Sequence, residues 1–148
     1  MLLKTKHFGE VNYIEEDIIS FEEGLPGFRD ATRFILLADH PNDLIHWLQS
    51  TEDEDLAFVL MDVKQIKPDY NPIIEPETIN TLNDGTPLTY YNIAVVPDDI
   101  QQMRVNLKAP IVINQSARMG KQVIASNDEY SVRHYIFEEI HHGQVTEC

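Results

Sequence analysis

Punctuation constrains this chain more than any other feature of its sequence. Eight prolines and six glycines are spread along 148 residues, and they leave few windows long enough for an uninterrupted helix. The runs between them favour β-branched side chains, with Ile and Val numbering 26 against 19 for Leu and Ala together. Such side chains crowd a helical turn but pack well on a pleated surface. Short apolar runs at roughly 8–12-residue spacing predict an all-β chain. The expected architecture is a small single-domain β-barrel-like or sandwich fold of many short antiparallel strands, with one or two short helices.

The runs divide the chain as follows. Strands are expected over 2–8, 11–14, 17–21, 33–37, 44–48, 56–61, 90–96, 105–107, 111–113 and 122–125. Gly9 and the compact Gly24-Leu25-Pro26-Gly27 segment are turns, and Gly120 sits in a hairpin loop. An acidic loop over 50–55 joins two of the strands. A short helix over 75–82 has acids near its start and is stopped by Asn83-Asp84-Gly85, and 98–102 forms one helical turn. Residues 130–140 allow two readings. Val132, Ile136 and Ile140 are spaced by four, as in a terminal helix, while 131–137 also alternates as a strand does. No fixed-period repeat or linker interrupts the chain, so one β domain is expected over 1–137, followed by a polar tail over 138–148.

Charge narrows the function. Twenty-five acids against 11 bases leave a net charge of −14. Phosphates would be repelled from a broad face of such a molecule, and anionic lipid would not attract it. A basic protein partner would be steered toward it. The charge is uneven: residues 101–127 hold Arg104, Lys108, Arg118 and Lys121 with no acid, a basic island in an acidic body. The single cysteine, Cys148, makes no internal disulfide. The opening MLLKTKHFGE has no signal-peptide character, and no apolar run approaches the ~20 residues of a membrane span. A cytoplasmic protein is expected.

Residues that carry chemistry are sparse. His141 and His142 lie near Cys148, Glu138 and Glu139, but adjacent histidines lack the spacing of a ligand pair, so no metal is expected. No serine sits in a nucleophile motif and no glycine-rich phosphate loop is present, so neither a catalytic residue nor a cofactor is assigned. A small carboxylate-based hydrolase stays open as an alternative, because so many acids supply many pairs. Glu52, Asp53, Glu54 and Asp55 read either as a docking loop for a basic partner or as a solvated hairpin tip. Trp47 reads as core.

Five ordered strings carry a resemblance. They are TKHFGE at 5–10, ISFEEGLPGF at 19–28, WLQSTEDEDLAFVLMD at 47–62, VNLKAPIVIN at 105–114 and GKQVI at 120–124. Together the set resembles the flagellar assembly factor FliW family over about 5–135, which excludes the tail. The resemblance implies a non-enzymatic regulator on a small β-barrel-like domain. Members of that family bind the CsrA-type translational regulator, a small dimeric RNA-binding protein, and antagonise allosterically its repression of flagellin messenger RNA. They also bind flagellin, which acts as the partner switch. A flagellin-specific chaperone without a regulatory role is the alternative. The matched strings fall at loops and strand ends. The partner-binding residues implied there are Phe28, Gln49, Ser50, Asn106, Lys108 and Pro110, together with the acids Glu52, Asp53, Glu54 and Asp55.

Overall fold

A computed structural model describes residues 1–137 and carries eleven strands there. The hairpin of β1 (Leu2–Thr5) and β2 (Gly9–Asn12) stands as its own antiparallel pair. The other nine strands belong to one sheet. They are β3 (Ile19–Ser20), β4 (Arg33–Leu37), β5 (Ile45–Ser50), β6 (Ala57–Met61), β7 (Thr89–Val95), β8 (Arg104–Val105), β9 (Ile111–Asn114), β10 (Met119–Gln122) and β11 (His134–Tyr135). Their order is β11-β8-β7-β6-β5-β4-β3-β10-β9, and β7 also pairs with β9. Seven strands, β3 to β7 with β9 and β10, therefore close into a barrel, while β8 and β11 extend from β7. Every pairing is antiparallel except β3 with β10.

Closure depends on β7 dividing one edge between two partners. Thr89, Tyr90 and Tyr91 pair with β9, whereas Ala94 and Val95 pair with β8. The fork opens at Asn92, which is buried. Its Nδ2 donates to the Asn106 carbonyl at 2.8 Å and to the Tyr70 hydroxyl at 2.9 Å, and Tyr70 donates in turn to the Leu107 carbonyl. Asn92 and Tyr70 thus supply donors to the Asn106 and Leu107 carbonyls beside the fork, while the Asn92 Oδ1 is itself buried without a partner among the described residues.

The barrel is filled from alternate positions of its strands. Phe21, Phe34, Leu48, Leu60, Ile111 and Ile113 belong to one buried cluster. On β9 the opposite face is covered as well, because Val112 packs with Ile79, Leu82 and Val123. Burial on both faces explains why Ile111 to Asn114 reads as a continuous run without alternation. The hairpin seats Leu3 against Ile18 and Ile35, and it lays the rings of His7 and Phe8 on Trp47 at 4.8 and 5.3 Å. Trp47 is accordingly half-buried beneath the hairpin and lies outside the barrel core.

The all-β expectation and the barrel agree, and several boundaries differ for local reasons. The strand at 33–37 falls where expected, as does a helical turn at Ile100–Gln102. The helix over 75–82 contracts to α1 (Pro76–Ile79). Strand 17–21 shortens because Glu15–Asp17 forms a 3₁₀ turn, closed by the Asp17 carboxylate accepting from the Ile14 N–H. Gly120 is not in a loop. It lies in β10, where a Cβ would run into the Phe21 ring, so its smallness serves packing. The loop is 115–118, and Arg118 takes the left-handed conformation there at φ 56°. Its guanidinium reaches the Asp17 and Gln115 carbonyls, which fixes the turn without glycine. The strand expected over 122–125 accordingly runs earlier, over Met119–Gln122. In the segment open to two readings, His134 and Tyr135 take the strand form by pairing with β8. The tail with His141, His142 and Cys148 lies outside the described residues.

Candidate partner-binding surface

β5 runs two residues further than its apolar pattern indicated, and this extension builds the acidic loop. Gln49 and Ser50 are strand residues, 3% and 1% exposed. The Gln49 amide nitrogen lies 3.1–3.4 Å from the carbonyl oxygens of Ser50, Asp53, Glu54 and Leu56, and shares its two protons among them. The Ser50 hydroxyl accepts from the N–H groups of Glu52 and Asp53, both at 3.1 Å. The Leu56 N–H closes the turn onto the Asp53 carbonyl. A buried amide and a buried hydroxyl thus hold the loop from beneath, and the side chains of Glu52, Asp53, Glu54 and Asp55 stand exposed above it.

A second region is held by backbone shape. In the 24–28 turn, Leu25 and Phe28 exchange backbone hydrogen bonds, and Gly24 and Gly27 have φ of +65° and +83°. A side chain at Gly24 would collide with the Arg29 backbone. Leu25 anchors the turn in the barrel core, which leaves Phe28 46% exposed with its ring edge-on to Phe58 at 5.6 Å. This turn forms one wall of a groove of about 890 Å³, whose other walls include Phe58, Ile93, Asn106, Lys108, Ile124 and Val132. A smaller cavity of about 350 Å³ lies between the turn and the acidic loop, with Phe28, Ser50, Glu52 and Asp53 in its lining. Gly27 and Arg29 border both.

Three strings far apart in sequence therefore meet. Asn106 and Lys108 share the groove with the 24–28 turn, and Phe28 shares the smaller cavity with the acidic loop. Lys108 is held by a 2.8 Å bond from its Nζ to the Asn127 carbonyl, and the Asn106 side chain accepts from the Ala109 N–H. Pro110 is buried, and its carbonyl accepts from the Val123 N–H. Arg29, Ile124 and Val132 were not among the partner-binding residues expected from the sequence. The signal for Ile124 was present: it lies between the buried Val123 and Ala125, so alternation turns it outward.

Two carboxyl groups stand out electrostatically. Asp84 sits below its ordinary range because Thr86 and Asn114 donate to it, and Glu129 because backbone and the Asn127 amide do. Both shifts run opposite to the raised value a general acid needs. Among the described residues no group of three or more His, Cys, Asp or Glu is arranged to hold a metal. No helix there is long and apolar enough to cross a membrane.

The family model described as FliW protein matches residues 2–136. This chain belongs to the FliW family. A flagellar assembly factor FliW from Ruminiclostridium cellulolyticum is 43% identical over 148 residues, covering 98% of this chain and all of that protein. The protein of the same name from Thermoanaerobacter pseudethanolicus is 44% identical over 143 residues, covering 95% of each. A crystal structure of the flagellar assembly factor FliW, 34% identical, superposes with a TM-score of 0.84 over 93% of this chain and 97% of its own. These FliW relatives are named for assembly and not for catalysis.

Proposed function

We propose that this protein is a cytoplasmic flagellar assembly factor that acts by binding other proteins and transforms no substrate. It binds the CsrA-type translational regulator and antagonises allosterically that regulator's repression of flagellin messenger RNA. Flagellin binding is the switch that releases the regulator. Membership of the FliW family along nearly the whole chain carries this reading.

The acidic loop supports it physically. An RNA-binding partner carries positive potential, and anionic patches steer such a partner into encounter. The loop's backbone is already ordered by Gln49 and Ser50, so little conformational freedom remains to be lost on association. Negative charge brought near an RNA groove also opposes phosphate approach without covering it. A coupling of about 1–3 kcal/mol would weaken RNA ~5–150-fold, and RNA would weaken this protein's hold on the regulator by the same factor.

The test is calorimetric titration of this protein into a CsrA-type regulator, with and without its RNA. Binding at low salt that weakens as salt rises is expected, and no binding at low salt would falsify the proposal. A second reading, a flagellin chaperone with no regulatory role, draws on the apolar groove. It requires flagellin binding that leaves regulator affinity untouched, so a competition titration separates the two.

A further inference from the structure

We infer that the groove between the 24–28 turn and the Lys108–Val132 side takes an amphipathic peptide segment that carries carboxylates beside its apolar residues. A basic segment would not suit it. This rests on the reading that the protein works by binding other proteins, and it concerns the groove that adjoins the acidic loop across Gly27 and Arg29.

Two observations combine. The first is apolar exposure. Ile124 and Val132 are 66% and 58% exposed, and both face the same groove as Phe58 and Ile93. Large apolar side chains lining one concavity of about 890 Å³ form the kind of surface that helical or extended segments cover. The second is charge. The chain as a whole is at −14, yet the charged residues lining the groove are Arg29, Lys108 and Glu23. Glu23 lies 3.6 Å from Lys121, which offsets its charge. Lys108 lines the groove while its ammonium donates to the Asn127 carbonyl at the groove's border and also acts on Glu129. Arg29 is exposed at the turn shared with the smaller cavity, where Asp30, Glu52 and Asp53 line the far side, so it is the cation that separates the groove from the acids. Two cations against one paired carboxylate leave the groove lining net positive on an anionic body, and its polar side, with Asn106, Lys108 and Gln122, comes from the basic island of the sequence. A segment with carboxylates flanking its apolar face would meet Arg29 and Lys108 favourably. A lysine-flanked segment would meet like charge.

The distinction is sharp because the protein's overall charge favours the opposite order. Long-range attraction alone would make a basic peptide bind more tightly than an acidic one. Three short synthetic amphipathic peptides with one apolar face, flanked by Glu, Gln or Lys, decide the matter. Each is titrated into the full chain while the Ile93 and Ile124 methyl signals are followed by NMR, so that only groove occupancy is read. The Glu peptide should shift both methyls at about tenfold lower concentration than the Lys peptide, with the Gln peptide between them. Arg29→Glu should narrow or reverse that order, and Ile124→Asp should weaken all three; both positions are exposed, which protects the fold. The inference is overturned if the Lys peptide shifts these methyls first, if none of the peptides shifts them, or if Arg29→Glu leaves the order intact. Methyl shifts that follow protein concentration alone would mean that a second copy fills the groove, and would overturn it too. Loss of regulator binding in the calorimetric test with the peptide order preserved would sink the proposed function and leave this inference standing.

Discussion

The acidic loop and the 24–28 turn line one small cavity together, yet they are held in shape by different means. The loop is scaffolded by side chains: Gln49 and Ser50 sit beneath it and pair with its backbone. The turn is scaffolded by the absence of side chains, with Gly24 pressed onto the Arg29 backbone and Leu25 sunk in the core. A polar scaffold tolerates almost any exposed residue above it, which lets charge accumulate at 52–55. A steric scaffold tolerates none at its tight point, but it can push an aromatic ring, Phe28, into solvent beside Phe58.

The largest effect should come from the steric side. Gly24→Ala adds a methyl that collides with backbone at a left-handed position, and should cost about 3 kcal/mol or more in urea unfolding. Gly27→Ala, also at positive φ but with open space around it, should cost only about 1 kcal/mol. Equal losses at the two glycines would break the idea that close approach, and not φ alone, shapes the turn.

Next comes the polar scaffold. Gln49→Ala removes an amide shared by four carbonyls, of which those of Asp53 and Leu56 keep a backbone N–H, and should cost about 1–3 kcal/mol. Amide exchange over 50–56 should quicken while that over 24–28 stays unchanged, and equal acceleration in both would join two regions that are separate here.

A third prediction concerns alkali. Burial pushes the Tyr70 hydroxyl up to about 12, against an ordinary value near 10. The unfolded chain therefore releases this proton first. Tyr70's contribution to stability is whole below pH ~10 and is lost as pH rises toward the folded value. Tyr70 bonds the Leu107 carbonyl next to Asn106 and Lys108, so the groove wall should loosen before the acidic loop does. Tyr70→Phe should lose about 1 kcal/mol at neutral pH and show a shallower alkaline decline, as read by unfolding midpoints across pH. An unchanged slope would remove Tyr70 from the account.

The smallest effect on folding should come from reversing Glu52, Asp53, Glu54 and Asp55 to Lys. Apart from Asp53, whose carboxylate accepts from the Asp55 N–H within the loop, these exposed side chains hold no backbone in place, so the unfolding midpoint should move little, while stopped-flow association with the regulator should slow and lose its salt dependence. An unaltered rate would take the loop out of the binding account.

Much of this was legible beforehand, and the exceptions share a cause. The strand at 33–37, the glycine turn at 24–27 and the exposure of the four acids follow from local alternation and turn chemistry. Gln49 and Ser50 were expected at a partner's surface. Their burial follows from a loop folding back on its own strand, which no window of sequence displays. Gly120 looked like a turn residue because glycine usually serves one, whereas a ring from β3's end sets the need for it here. Arg118 closes its turn through the Asp17 carbonyl, a contact across 101 residues.

What the order of amino acids settled unaided was the class of structure and the sign of its surface. Proline and glycine spacing forbids long helices, β-branched runs demand strands, and an excess of acids stays outside because buried unpaired charge is too costly. Only the closed barrel decided that Phe28, Asn106, Lys108 and Ile124 belong to neighbouring concavities, and that a cationic groove opens in an anionic body. Closure sets which strand ends become neighbours through pairings such as β7 with β9, and those pairings join residues too distant in the chain for any local pattern to record.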